Sequence, residues 1–406
     1  KGAMHTHGGL VYTVRGLNRV ISRDESDECM AFLPLCHIAE RMGGEYLALY
    51  TGAKVNFVEN PDTVPENVRE IAPTSFVAVP RVWEKFYSGV TIAIKESTRL
   101  QQAAYAWALR VGHRVADRVL AGEAVPALLK LRFLLARWLA LDNVRKMIGI
   151  HRARYLVTGA APISPELIRW YLALGVPMLE VWGMTESCGV STSMRPQRIK
   201  PGSIGPAAPY NEVRLDPETG EIQLKGRNIF AGYLNLPEQT AETFTEDGWL
   251  RTGDVGSVDE DGFYRIIDRM KDIIITAGGK NIAPQKIENQ LKSSIYINDA
   301  VVIGDKQRYL VALLVLDEDN ITHWAMERQL SYSTYTDLAS NPEVRELIDS
   351  EVERVNSTLA RVETVKKFAI LPKRLYHEDG EVTATLKVKR SSLAAKYNDL
   401  IEELYA

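Results

Sequence analysis

Along the chain, short apolar runs alternate with stretches whose apolar residues recur every three or four positions. These are the marks of buried strands and of helices packed on a sheet. Residues 29–35, 54–58, 75–79 and 154–158 are strand candidates. Between 92 and 150 the pattern turns helical. Tyr105, Leu109, Val111 and Val115 fall near one face, and Leu128, Leu131, Leu134, Leu135 and Trp138 near another. Residues 162–174 read as a helix, with Ser164 as N-cap, Pro165 in first position and Gly175 at the end. From 201 to 267 the pattern breaks into short strands with Gly and Pro turns, at 213–215, 220–225 and 262–266. A small distorted β-barrel suits them.

After Arg269 the pattern changes again. Strands are expected at 273–276, 300–303 and 309–316, and Pro284 opens a helix through Leu291. The reading is a multi-subdomain α/β protein: a large N-terminal domain over 1–268 and a small α+β C-terminal domain over 269–406. The junction lies at 268–271.

Composition narrows the class. With 406 residues the chain holds more than one domain, and 46% hydrophobic with 25% charged residues is ordinary for a globular protein. A net charge of −3 gives no global field for nucleic acid. Three scattered cysteines, Cys29, Cys36 and Cys188, suit neither a disulfide framework nor a zinc site. A reducing cytoplasm is the expected compartment. There is no bilayer-spanning apolar run and no signal-peptide pattern.

Five segments carry candidate chemistry. In the first, Thr158-Gly159-Ala160-Ala161-Pro162, small residues after a strand let backbone approach a flat ring or a phosphate; an ordinary strand-to-helix turn asks for the same residues. The second is Glu180-Val181-Trp182-Gly183-Met184-Thr185-Glu186. Its Trp182 suits stacking on a purine, Thr185 a phosphate contact and Glu186 a hard cation such as Mg²⁺. The third joins Arg251-Thr252-Gly253-Asp254 to Asp268-Arg269-Met270-Lys271-Asp272. A carboxylate such as Asp254 accepts hydrogen bonds from both ribose hydroxyls, although an Asp-stabilised turn and an exposed salt bridge account for each part singly. The fourth, Thr383-Ala384-Thr385-Leu386-Lys387-Val388-Lys389-Arg390, is by composition a basic strand or solvated loop. In the fifth, Leu33-Pro34-Leu35-Cys36-His37-Ile38-Ala39-Glu40-Arg41, His37 taken alone reads as a structural histidine.

Taken in order, these segments resemble the adenylate-forming enzymes: acyl-CoA synthetases, firefly-type luciferases and peptide-synthetase adenylation domains. The second segment is similar to their Tyr-Gly-x-Thr-Glu motif, with Trp182 in place of the usual Tyr. The resemblance implies that Trp182 and Gly183 lie on adenine, with the 159–161 turn beside them. It gives Thr185 a phosphate contact, Glu186 the Mg²⁺, and Asp254 with Arg269 the ribose. Lys387 would reach the active site during adenylation. A hinge at Lys271 would then exchange it for the Gly278-Gly279 loop during thioester formation.

The string around His37, with Val79-Pro80-Arg81-Val82-Trp83-Glu84-Lys85 and the helical insertion after it, is similar to the long-chain fatty acid subgroup. The expected cofactors and substrates are ATP, Mg²⁺, coenzyme A and a fatty acid. A ligase loading a carrier protein, a luciferase-type oxygenase and a non-catalytic nucleotide-binding protein share parts of the pattern. Lys1-Gly2 resembles the end of the family's phosphate loop, and His5-Thr6-His7 follows in the expected place. The resemblance therefore leads one to expect further family sequence before Lys1, and little or no activity without it.

Residues 128–141 carry Lys130, Arg132 and Arg137 among apolar residues. A basic amphipathic helix can lie on an anionic membrane. From sequence alone, an ordinary packing helix with its polar face in water is the preferred reading.

Overall fold

The computed structural model describes residues 1–60, 63–376, 378–383 and 388–406. They form two compact units, Lys1–Ile266 and Ile267–Ala406.

In the first unit, the strands Ser75–Ala78, Tyr155–Thr158 and Met178–Met184 run parallel, and Gly189–Ser193 adds an antiparallel edge. All four residues of Tyr155–Thr158 are buried, which is why the run lacks polar alternation. Glu28–Ala31 and Lys54–Phe57 pair parallel in a second sheet. The helices Pro80–Glu96, Arg99–Leu120 and Pro165–Ala173 contribute to the same core. Its centre is aromatic: Trp83 meets Phe76 and Tyr171 edge-on at 5.2 and 5.5 Å. The polar ends of these rings are satisfied internally. The Trp83 indole donates to Ala78 O, and the Tyr171 hydroxyl to Trp83 O.

One helix departs from expectation. Ala127–Ala136 continues into a π-helical turn, Arg137–Leu141. The residues it packs inward are Leu129, Phe133, Ala136, Ala140 and Leu141. The leucines expected to pack, Leu128, Leu131, Leu134 and Leu135, together with Trp138, face water instead. The helix is apolar on both sides, so periodicity could not say which side was inside.

The segment read as a barrel is an antiparallel sheet with strand order Tyr264–Arg269, Leu250–Val258, Glu221–Lys225, Glu212–Leu215. A ribbon of Ala3–Met4 paired with Gly232–Tyr233 shares its core of Ile204, Ile222, Leu224, Phe230, Tyr233 and Leu250.

In the second unit, Leu310–Leu316 is the centre of a three-stranded sheet, antiparallel to Ile297–Ile303 and parallel to Val365–Ile370. Leu310, Ala312, Leu314 and Leu316 face one core, beneath the helices Pro284–Leu291 and Pro342–Asn356. Leu313 and Val315 face a second core with Leu393 and Ile401. Burial on both faces explains seven successive apolar residues.

Candidate functional site

The Met178–Met184 strand leads into a single 3₁₀ turn, Thr185–Ser187, and returns as Gly189–Ser193. The hairpin register slips between Trp182 and Gly183, a bulge that re-aims the side chains beyond it. Gly183 is sterically required: a Cβ there would lie 1.7 Å from Gly189 O. Thr185 is exposed at the turn, and Glu186 is half-buried beside it.

Glu186 has a partner that sequence did not suggest. The Tyr233 hydroxyl donates to Glu186 Oε1. Tyr233 is brought there by the ribbon, in which Ala3 pairs with Tyr233, Ala231 N–H donates to Met4 O, and Leu234 N–H to Gly2 O. The same pairing sets Lys1 Nζ 4.4 Å from the Tyr233 ring centroid. Lys1, Tyr233 and Glu186 thus form one cluster, although 232 positions separate the first in the chain from the last. Burial, reinforced by Glu186, pushes the Tyr233 phenol up to about 12, so it is the proton donor of the pair. Nearby, the Thr6 hydroxyl accepts from Gly9 N–H and starts the His7–Leu17 helix. His5 Nδ1 lies 3.1 Å from Cys188 Sγ.

Asp254 sits in a second bulge. The Leu250–Val258 strand loses register with Glu221–Lys225 between Arg251 and Val255. Gly253 takes φ +72°, and its N–H donates to the buried Glu221 carboxylate at 2.8 Å. The Thr252 hydroxyl donates to Ile222 O and accepts from Asp254 N–H. Locked in this way, Asp254 is buried, and its Oδ2 accepts from Trp182 Nε1 at 2.9 Å. The residue expected on adenine and the one expected on ribose are therefore in direct contact.

Gly159 and Ala160 follow the neighbouring strand. Ala160 holds φ +67° with a Cβ, a strained conformation of the kind that collects at functional turns. Ala161 is half-buried beside it. One residue before this turn, Thr158 pairs in register with Glu180. Both are buried, and Thr158 Oγ1 and Glu180 Oε2 have no hydrogen-bond partner among the described residues. Burial pushes the Glu180 carboxyl up to about 8, which keeps it protonated at neutral pH.

His37 precedes a π-helical stretch, Glu40–Tyr46. Its Nδ1 accepts from Ala39 N–H at 3.2 Å, which leaves the proton on Nε2, and burial lowers its pKa. Glu40 is buried and ties the preceding loop by accepting from Leu33 N–H at 2.9 Å. Ile38 and Met42 come within 3.9 and 3.6 Å of where a Gly189 Cβ would stand, so this segment packs against the end of the Thr185 turn.

Arg269, Lys271 and Gly279 belong to the second unit. Asp268 is fully buried there. Its oxygens accept from Arg269 N–H at 2.7 Å and from Gln285 N–H, in the first turn of Pro284–Leu291, at 3.0 Å. Burial raises its carboxyl to about 6 against those two bonds. Lys271 is exposed, and Gly279 lies at φ +72° in the turn joining Ile274–Ile275 to Asn281–Ile282.

Lys387 lies outside the described residues. The stem on either side of it is anchored by a bridge between Val382 and Val388 and by Glu381, which is 1% exposed. Glu381 accepts from Lys396 Nζ at 2.7 Å, Tyr376 N–H at 3.0 Å and Lys373 Nζ at 3.3 Å. Burial opposes its ionisation, but these donors outweigh burial and lower the pKa.

Among the described residues no group of three or more His, Cys, Asp or Glu side chains could hold a metal. A single carboxylate such as Glu186 suits Mg²⁺, which takes one or two carboxylates and completes its shell with phosphate oxygens and water.

Residues 1–234 match the AMP-binding enzyme family, and residues 271–406 match the AMP-binding enzyme C-terminal domain. A Mycobacterium tuberculosis protein assigned to the fatty-acid–CoA ligases (fadD11) is 37% identical over all of this chain and 71% of its own length. The long-chain-fatty-acid–CoA ligase ACSBG2 of Gallus gallus is 36% identical over all of this chain and 57% of its own length. Among solved structures, the A-PCP didomain of a carboxylic acid reductase from Segniliparus rugosus, in complex with AMP, matches the whole chain and 52% of its own. Its TM-score is 0.72 at 22% identity. ATP-bound MatB from Rhodopseudomonas palustris matches 98% of this chain and 66% of its own, with TM-score 0.67 at 22% identity. These two likenesses concern the fold alone. With both units matched, and a motif turn that gathers Trp182, Glu186 and Asp254, the chain belongs to the AMP-binding enzyme family, as an adenylate-forming acyl-CoA synthetase.

Proposed function

We propose that the protein to which this chain belongs activates a long-chain fatty acid with ATP and transfers the acyl group to coenzyme A. The observation that carries this reading is the contact of Trp182 with Asp254 on one side of the motif turn and, on the other, that of Glu186 with Tyr233, over whose ring Lys1 lies. That arrangement offers an aromatic surface, a ribose acceptor, a carboxylate and a cation within one unit. The chain-length class rests on the Gallus gallus relative, named a long-chain-fatty-acid–CoA ligase, and on the segment around His37.

In the first half-reaction the fatty carboxylate oxygen forms a bond to the α-phosphorus, and the bond from that phosphorus to the bridging oxygen of pyrophosphate breaks. Asp254 orients the ribose while Trp182 holds Asp254. Thr185 and Lys1 donate to phosphate oxygens. Glu186, steered by Tyr233, holds Mg²⁺, which when bound neutralises phosphate charge. Lys387 stabilises charge on the α-phosphate. In the second half-reaction the coenzyme A sulfur bonds to the acyl carbon, AMP leaves with the bonding electrons, and the thiol proton is released. The C-terminal domain, 269–406, turns at Lys271 between the steps, withdrawing Lys387 and presenting Gly279. The protein works in the cytoplasm, in peripheral contact with a membrane.

The test is fatty-acid-dependent pyrophosphate release, assayed with hydroxylamine to trap acyl-adenylate, then with coenzyme A or a carrier protein as acceptor. Turnover with palmitate and coenzyme A supports the reading. Turnover only with a carrier protein replaces the acceptor, and no acyl-adenylate with any fatty acid rejects the proposal.

A further inference from the structure

The helical segment formed by Ala127–Ala136 and Arg137–Leu141 is the most unusual surface in the first unit. Leucine-rich throughout, it contains no acidic residue. Only one side is used for packing, through Leu129, Phe133, Ala136, Ala140 and Leu141. The opposite side places Leu128, Leu131, Leu134 and Trp138 in water at 62, 65, 60 and 75% exposure, with Leu135 and Leu139 also exposed beside them. These positions recur every three or four residues and so make one continuous stripe. Lys130 and Arg132, both exposed, lie on opposite borders of that stripe. A large exposed apolar patch with a polar rim marks a docking site.

We propose that this stripe is a docking surface for an anionic lipid bilayer. Charge decides the occupant. Residues 99–148 hold nine Lys or Arg and three Asp or Glu, a net +6 inside a chain of net −3. All three of those acids are engaged locally: Asp117 by Arg169, Glu123 by Arg118, and Asp142 by Arg137 and Arg145. The apolar stripe with its basic borders matches an acyl layer beneath anionic headgroups, with Lys130 and Arg132 extending sideways to the phosphates. Trp138 is of the type that settles at that boundary. A second copy is a poorer occupant, because a two-fold interface would bring two basic rims together. The inference deepens the proposed acyl activation by naming where the enzyme meets a membrane-dissolved substrate. Its test needs no turnover.

The experiment is co-sedimentation of the full chain with phosphatidylcholine vesicles, with and without phosphatidylglycerol, at low and high salt. Binding to the anionic vesicles, weakened by salt, is expected. Leu131→Ser with Trp138→Ser should weaken it about tenfold or more. Lys130→Glu with Arg132→Glu, which leaves the stripe intact, should abolish the preference for anionic vesicles. Thermal melting checks that both variants fold as the parent does. Three results would overturn the proposal: a parent protein that stays in the supernatant with both vesicles, variants that bind as the parent does, and stripe variants whose only effect is to dissociate a dimer. Loss of acyl activation with vesicle binding intact would instead remove the proposed function and leave this surface standing.

Discussion

Trp182 Nε1 donates to Asp254 Oδ2 at 2.9 Å, joining two residues 72 positions apart across two separately bulged strands. The bond fixes the orientation of the carboxylate to which the proposed function gives the ribose. Hydrogen bonds to a charged group contribute about 1.5–3 kcal/mol. Trp182→Phe keeps an aromatic face and removes the donor, so KM for ATP should rise about 10- to 100-fold with kcat less affected. The variant should also discriminate less between ATP and 2′-deoxy-ATP. Unchanged ATP kinetics in a folded Trp182→Phe protein would mean that the bond does not hold the carboxylate for nucleotide.

Tyr233 fixes the rotamer of Glu186 from outside the motif. Removing the hydroxyl with Tyr233→Phe loses a bond to a charged group, and water at the half-buried carboxylate replaces part of it, leaving a net loss of about 1 kcal/mol. The Mg²⁺ concentration for half-maximal pyrophosphate release should rise about fivefold. Glu186→Gln should cost far more, on the order of 10²-fold in rate. A magnesium titration identical to that of the parent would separate Tyr233 from the metal site.

Glu180 makes stability depend on pH. Its folded pKa of about 8 lies above the ordinary 4.5, so the folded protein keeps a proton that the unfolded chain releases. The native state therefore binds more protons across that interval, and stability declines as pH rises from about 4.5 to about 8, by an amount on the order of a few kcal/mol. Glu180→Gln removes the ionisable group. Urea melts of the first unit's transition should show parent and variant nearly equal at pH 5 and the variant more resistant at pH 8.5. Parallel pH profiles would show that Glu180 is charged in the fold.

Glu381 anchors the residues that flank the 384–387 segment in sequence, through Lys396, Tyr376 and Lys373. Glu381 is the buried partner and its two lysines stay open to water, so removing it loses charge-assisted hydrogen bonds of about 1.5–3 kcal/mol each, in part replaced by water. Glu381→Ala should slow adenylation strongly and leave thioester formation from supplied acyl-adenylate nearly intact, the same split expected of Lys387→Ala. Equal loss in both half-reactions would assign Glu381 to general stability and count against the role given to Lys387.

The strands and the order of motifs were legible in the chain because their signals are local. A run such as Leu310–Leu316 announces burial on both faces, and Pro284 announces a helix start. The 162–174 helix was also legible, although the Ser164 hydroxyl turns to Glu166 and leaves the cap unmade. Tyr233 was not legible. Nothing in Ala231-Gly232-Tyr233-Leu234 marks it, and only pairing with residues 3 and 4 carries it to Glu186.

By itself, the sequence determined which segments are apolar enough to be strands and helices, where the chain changes domain character, and which residue types stand in each motif. Tertiary structure alone decided which of those segments meet, and which side of an all-apolar helix is inside. The Trp182–Asp254 bond arises because two bulges turn distant side chains toward one point. The exposed Leu131 and Trp138 arise because the neighbouring elements receive only the Leu129 and Phe133 face. Periodicity encodes one element's own geometry, whereas its choice of partner is settled by all the other surfaces that must be buried at once.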